Sequence, residues 1–251
     1  VRPIRFLVPL AGAAMLVAGC GSTSTTSGSA GPAATTTAAA PVENGVDKLS
    51  ATEILAKAQA ALSNAKSVHI SGTSSSEGEE LRLDIQVGGA EGGKGTIVTG
   101  NNRIEVIRIG QTIYLKADGE ALGGLTGNPE AAKLLAGKYM KGSATDPKLK
   151  DLADFTSLSG MATNILKPDG KLTKGQRKTI HGVPAIGLVD DSADGGVMYI
   201  SLQGEPLPLQ LAPGAKSKEQ GTLDFEDYGK PAEITAPPAA QVVDLDKLGG
   251  N

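Results

Sequence analysis

The segment Leu81-Arg82-Leu83-Asp84-Ile85-Gln86-Val87 alternates apolar and polar residues without a break. Successive side chains of a strand point to opposite faces, so this pattern makes one face apolar and leaves the other wet. Such a sheet is antiparallel, because parallel sheets are covered on both sides and read as continuous apolar runs. Its apolar face then needs a cover supplied by another part of the chain. Further strands are expected at Val68–Thr73, Gly95–Thr99, Asn102–Ile109, Gln111–Lys116, Gln176–Ile180, Ala185–Val189, Gly196–Leu202, Pro206–Leu211 and Thr222–Tyr228. Turn residues separate most of them, including Gly88-Gly89, Gly100-Asn101-Asn102, Gly110 and Gly182. Pro206 and Pro208 lack ladder donors, which places Leu207–Leu211 at a sheet edge.

Two helical regions can supply the cover. Ser50 and Glu53 form a capping box, after which Ile54, Ala58, Ala61, Leu62 and Ala65 share one face of a helix ending near Lys66. A second region, 118–174, carries the N-cap pairs Asn128-Pro129 and Asp146-Pro147, and then Leu149, Leu152, Phe155 and Leu158 at intervals of three. The order helix, strands, helices, strands defines a single α+β domain.

Several chemistries are excluded by composition and local pattern. The 251 residues carry 24 Lys+Arg against 27 Asp+Glu with no basic block, which argues against nucleic acid. One cysteine and 2 histidines leave almost nothing for a zinc site, and no metal or other cofactor is expected. Gly88-Gly89-Ala90-Glu91-Gly92-Gly93-Lys94 fits seven positions of a phosphate loop, but Gly95 stands where Ser or Thr is required and a strand follows instead of a helix. It reads as a hairpin. Asp190-Asp191-Ser192-Ala193-Asp194-Gly195 opens like a calcium loop, but Ser201 occupies the position of the bidentate Glu, so it reads as a turn. His69 and His181 have no pattern of ligands or bases beside them, and no Gly-x-Ser-x-Gly elbow occurs. An enzyme is not expected.

Residues 1–20, VRPIRFLVPLAGAAMLVAGC, place Arg2 and Arg5 before an apolar run that ends in small residues, the order of a secretory signal. Val17-Ala18-Gly19-Cys20 resembles the lipobox of bacterial lipoproteins. That resemblance implies cleavage after residue 19, a diacylglycerol thioether on Cys20 and attachment to the extracytoplasmic face of the cell membrane. Val1 is then expected to be methionine in the cell. Residues 21–41 contain only Gly, Ser, Thr, Ala and Pro and cannot offset their ordering entropy, so a disordered tether is expected over 20–46 and the folded domain over 47–251.

The folded part resembles the actinobacterial LppX/LprG-type lipoproteins. Ala65-Lys66-Ser67-Val68-His69-Ile70-Ser71-Gly72 is similar to the family's helix-to-strand opening, and Ile107-Arg108-Ile109-Gly110-Gln111-Thr112-Ile113-Tyr114 to a hairpin ending in an aromatic. Lys178-Thr179-Ile180-His181-Gly182-Val183-Pro184-Ala185 and Phe225-Glu226-Asp227-Tyr228-Gly229-Lys230-Pro231 are similar to later strands. The likeness spans roughly residues 49–245. It implies a curved antiparallel half-barrel related to the LolA/LolB carriers, with helices on its concave face and an apolar cavity for lipid or glycolipid acyl chains. Leu83, Ile85, Val106, Tyr114, Leu134, Leu152, Phe155 and Ile200 are the candidate cavity and lid residues, and a monomer is expected. The region 118–174 departs from the family in having few aromatics. The alternative is a surface interaction or sensory lipoprotein that uses the same scaffold with a filled core and no lipid.

Overall fold

The computed structural model describes residues 42–76, 79–89, 92–126, 129–193 and 195–244. Cys20, the signal segment and residues 21–41 lie outside the described residues, as do Ala90, Glu91, Asn128 and Asp194.

The alternation at 81–87 is realised in β2 (Glu79–Gly88), where Leu83, Ile85 and Val87 are buried and Arg82 and Asp84 are exposed. Its neighbours are β1 (Val68–Ser76) and β3 (Gly92–Thr99), followed along the chain by β4 (Asn102–Ile109) and β5 (Thr112–Ala117). Two short helices follow, α2 (Gly119–Thr126) and α3 (Pro129–Leu135), then β6 (Tyr139–Ser143) and the helices α4 (Lys150–Phe155) and α5 (Leu158–Asn164). The second half is β7 (Leu172–Ile180), β8 (Val183–Asp190), β9 (Gly196–Ser201), β10 (Pro208–Pro213), β11 (Gln220–Glu226) and β12 (Val242–Asp244). All twelve strands form one sheet in the order β12-β6-β5-β4-β3-β2-β1-β11-β10-β9-β8-β7. Every pairing is antiparallel except β12 with β6. The fold is α+β with the helices on one sheet face. Twist in a sheet this wide makes it curl.

Ahead of β1 runs α1 (Ala51–Ser63), capped by Ser50, whose hydroxyl accepts from the Glu53 N–H while the Glu53 carboxylate accepts from the Ser50 N–H at 2.9 Å. Ile54, Leu55, Ala58 and Leu62 bury its inner face against Ile70, Ile85, Ile200 and Phe225 of the sheet. Each large aliphatic side chain buried there contributes roughly 1.5–3 kcal/mol. Helix α5 joins the same cluster through Leu158, Met161 and Ala162. A second cluster covers the β4–β6 half: Val106, Ile113, Leu115 and Met140 from the strands meet Leu122 of α2, Leu135 of α3 and Ala153 of α4.

Three expectations are corrected. Strand β10 lies between β9 and β11 and is not an edge. Its prolines are tolerated because Pro208 opens the strand at a register shift against β9, and Pro213 closes it. The region 118–174 contains strand β6 as well as helices. Finally, Asp146-Pro147 starts no helix: Asp146 Oδ1 instead accepts the Lys148 N–H at 2.9 Å in a turn, and α4 begins at Lys150. The period of three over Leu149, Leu152, Phe155 and Leu158 reflects two short helices broken at Thr156 and Ser157.

Residues 42–46, which the sequence reading assigns to the tether, are tied to the domain. Asn44 Nδ2 donates to the Ser201 and Gly204 carbonyls, and Val46 is buried. Arg177 clasps both carboxylate oxygens of Glu43 at 2.9 and 3.0 Å and reaches Asp47 at 2.6 Å. That fork holds the Asp47 carboxyl below the ordinary carboxylate range.

Gly72 shows how closely the central strands approach. Its φ is +149°, and a side chain there would collide with the Thr222 carbonyl of β11. Gly72→Ala is expected to lower stability by about 1–3 kcal/mol, read as a shift of the urea midpoint with an unchanged slope. An unaltered midpoint would show that the strands can move apart at no cost.

Candidate functional site

The inner face of β3 is almost bare. Gly93 pairs with Val87 and Arg108, and Gly95 pairs with Ile85 and Val106, so the two glycines stand in the row where neighbouring strands carry core side chains. The α4–α5 corner occupies that space. A Cβ on Gly93 would lie 3.2 Å from both Cα and Cβ of Thr156, which is fully buried. Thr156 Oγ1 donates to the Leu152 and Ala153 carbonyls at 2.8 and 3.1 Å, and Arg108 Nη1 donates to the Ala153 carbonyl at 2.8 Å. Cover and sheet therefore touch at mid-sheet, with one apolar cluster on either side.

Contact is looser toward β7–β10. A cavity of about 150 Å³ lies between Leu55 of α1, Ile165 and Leu166 beyond α5, and Leu172, Leu188, Met198 and Leu211 of the four strands. Lys167, Asp169 and Asp190 stand at its polar side. Gln59 Nε2 donates to the Leu166 carbonyl at 3.2 Å, which holds the segment after α5 against α1. Asp190 holds the facing loop. Its carboxylate accepts the N–H groups of Asp169, Gly170 and Ser192 at 2.8, 3.0 and 2.9 Å. Partial desolvation raises its pKa, but those N–H groups outweigh it and keep the carboxyl below the ordinary 3.8. The aspartate from the apparent calcium loop is thus occupied in binding backbone.

None of the eight candidate residues lines this cavity. Leu83, Ile85 and Ile200 are packed in the cluster under α1 and α5, whereas Val106 belongs to the cluster under α2–α4, with Leu152 packed against it. Tyr114 points to the other sheet face, because it alternates with the buried Ile113 and Leu115 of β5. Leu134 is 81% exposed on α3. Phe155 is 36% exposed and borders a hollow with Lys150, Asp154 and Asn164 on the outside of α4 and α5. Leu188 and Met198 were legible as strand positions, and the apolar pair Ile165-Leu166 before Lys167-Pro168 marks a chain leaving a helix. Their convergence depends on which strands lie side by side, which no local pattern states.

The opposite face of the sheet is polar. Glu105 accepts from Arg103 at 3.2 Å and from the Tyr139 hydroxyl at 2.8 Å, with the Lys116 ammonium 3.6 Å away. Burial and the bond to Glu105 push the Tyr139 hydroxyl up to about 12. His69 pairs with Asp84, and His181 pairs with Asp224, each at 2.9 Å. These pairs form a solvated lattice of opposite charges around an open hollow of about 600 Å³ bordered by His69, Asp84, Lys94, Glu105 and Tyr139. Among the described residues no helix is long and apolar enough to cross a membrane.

The described residues thus form a wide α+β sheet with a helical cover on one face and a small gap beneath it. The chain is similar in fold to LprF from Mycobacterium bovis, at 15% identity over 74% of this chain and 96% of that one, with a TM-score of 0.47. It is also similar to the lipoprotein LppX from Mycobacterium tuberculosis, at 13% identity over 73% and 99%, TM-score 0.42. The LolA superfamily protein NE2245 from Nitrosomonas europaea matches at 12% identity over 81% and 98%, TM-score 0.26. No protein-family model and no curated protein matches the chain.

Loss of the Asp190 carboxylate is expected to free the loop at the cavity. In Asp190→Ala, amide exchange at Asp169, Gly170 and Ser192 should accelerate about tenfold or more while Ile54 stays protected. Because the folded-state pKa is depressed, the wild-type bonds contribute fully above the ordinary value of 3.8 and are lost as pH falls through the lower folded value. Equal exchange in mutant and wild type would show that the loop is held by other means.

Proposed function

We propose that this chain is an extracytoplasmic lipoprotein, anchored through lipid on Cys20, whose domain holds part of a lipid or glycolipid acyl chain between its helical cover and its sheet. The observation that carries this reading is the apolar gap between Leu55, Leu166, Leu172, Leu188, Met198 and Leu211. It lies on the inner side of the sheet, where the resemblance to the LppX/LprG-type lipoproteins puts their cavity. Removing a methylene from water gains about 0.8 kcal/mol, so even a few carbons lodged there add up before ordering costs are met. Membrane attachment rests on the signal-like residues 1–20 and their terminal Cys20.

One observation favours the second reading, an interaction lipoprotein with a filled core. The gap of about 150 Å³ is smaller than the roughly 300–1,000 Å³ of most small-molecule pockets. A whole acyl chain then requires the cover to move outward, and the two readings divide on whether it does.

The test is made on the full chain, expressed with its leader and extracted from membranes under native conditions. Acyl-chain binding predicts a copurifying lipid in native mass spectra, in about one-to-one ratio, which is lost in Met198→Trp while the far-ultraviolet spectrum is kept. Cys20→Ala is expected to move the protein from the membrane to the soluble fraction. A lipid-free protein that also takes up no labelled lipid would favour the filled-core reading.

A further inference from the structure

We propose that the gap takes an alkyl chain with a cationic head, an ammonium, ahead of the same chain with a neutral or an anionic head. This rests on the acyl-binding reading above and adds the charge of the ligand.

The first observation is size. A volume of about 150 Å³ matches that of an engineered apolar cavity known to hold benzene, so the gap takes the end of an alkyl chain and leaves its head outside. Leu55, Leu166, Leu172, Leu188, Met198 and Leu211 supply the hydrocarbon from α1, the segment after α5 and the sheet.

The second observation is the charge where that head must lie. The charged side chains lining the gap are Lys167, Asp169 and Asp190. Asp190 keeps its negative charge: the N–H groups of Asp169, Gly170 and Ser192 bind the ionised carboxylate, and being neutral they cancel none of it. Asp169 is exposed and adds a second negative charge, while exposed Lys167 opposes them with one positive charge. The lining is therefore net negative. An ammonium at the mouth is attracted, a carboxylate is repelled and a hydroxyl is indifferent.

The third observation is that this rim is already in place. Gln59 Nε2 holds the Leu166 carbonyl at 3.2 Å, and Asp190 holds the Asp169 and Gly170 N–H groups at 2.8 and 3.0 Å. The backbone carrying Lys167 and Asp169 is thus clamped on both sides. A ligand meets the charges without first ordering the chain that bears them.

The experiment measures binding of dodecylammonium, dodecanol and dodecanoate, each below its micelle concentration, to the full chain by calorimetry and native mass spectrometry. Dodecylammonium should bind one to one and most tightly, dodecanol less tightly and dodecanoate least. Asp169→Asn should weaken dodecylammonium about three- to fivefold and Lys167→Gln strengthen it by a similar factor, as expected for solvent-exposed charges, with dodecanol unaffected by either. Both are surface changes that leave the core intact. Met198→Trp, which fills the gap, should abolish binding of all three. Dodecanoate binding as tightly as dodecylammonium, with neither rim substitution moving the two apart, would overturn the charge assignment and leave acyl binding standing. Dodecylammonium retained in Met198→Trp while dodecanol is lost would also overturn it, by placing the cation elsewhere. Failure of all three compounds to bind would overturn both readings.

Discussion

The interior is organised by one close contact, the Thr156 backbone seated on the bare stretch of β3 at Gly93. A helix normally stands off a sheet by the thickness of two layers of side chains. Here the sheet contributes no side chain, and the α4–α5 corner comes down to the backbone. The apolar face is thereby divided into a cluster under α1 and α5 and another under α2–α4. The Arg108 guanidinium, reaching from an inward position of β4 to the end of α4, satisfies the carbonyl that the corner would otherwise bury. The remaining gap lies away from this contact, between α1, the segment after α5 and strands β7–β10.

Much of the sheet was legible because strands with one wet face carry their own period. Leu83, Ile85 and Val87 point inward as the alternation requires, and the Ser50–Glu53 box caps α1 where the sequence places it. Elements stabilised by distant partners were not legible. Strand β6 reads Tyr139-Met140-Lys141-Gly142-Ser143, with little strand character, and owes its existence to pairing with β5 on one side and β12 on the other. Pro206 and Pro208 signalled an edge because their cost was counted as if both faced ladder positions, whereas Pro206 lies before β10 and Pro208 opens it. Cavity residues were harder still. Tyr114 carries the aromatic mass expected of a lining residue, but the parity of β5 turns it outward, and Leu134 sits on a helix too short to bury two faces.

Both ends of the sheet are protected by chain that does not belong to the central strands. Edge strand β7 carries Lys174, Arg177 and Lys178, a register shift between Lys174 and Arg177, and the bound segment of Glu43 and Asp47. Charges and irregularity of this kind prevent a bare edge from pairing with another sheet. At the other edge, the chain leaving β11 is held by Ser67 and passes Gly88, whose missing side chain leaves room for Ala232 and Ile234. It then forms β12 beside β6, secured by the ion pair of Lys141 and Asp244 at 3.0 Å.

The pairing of β1 with β11 sets a condition on how the molecule is made. His69 lies opposite Glu226, and Ile70 opposite Phe225, so the middle of the sheet joins residues far apart along the chain. The run β1 to β5 can zip together from neighbouring hairpins as it emerges, and so can the run β7 to β11. Joining the halves must wait until β11 has been made, and contacts between such distant residues slow folding. Until then β1 presents an unsatisfied backbone and α1 lacks much of its seat, which makes this seam the stretch most in need of shielding during biogenesis.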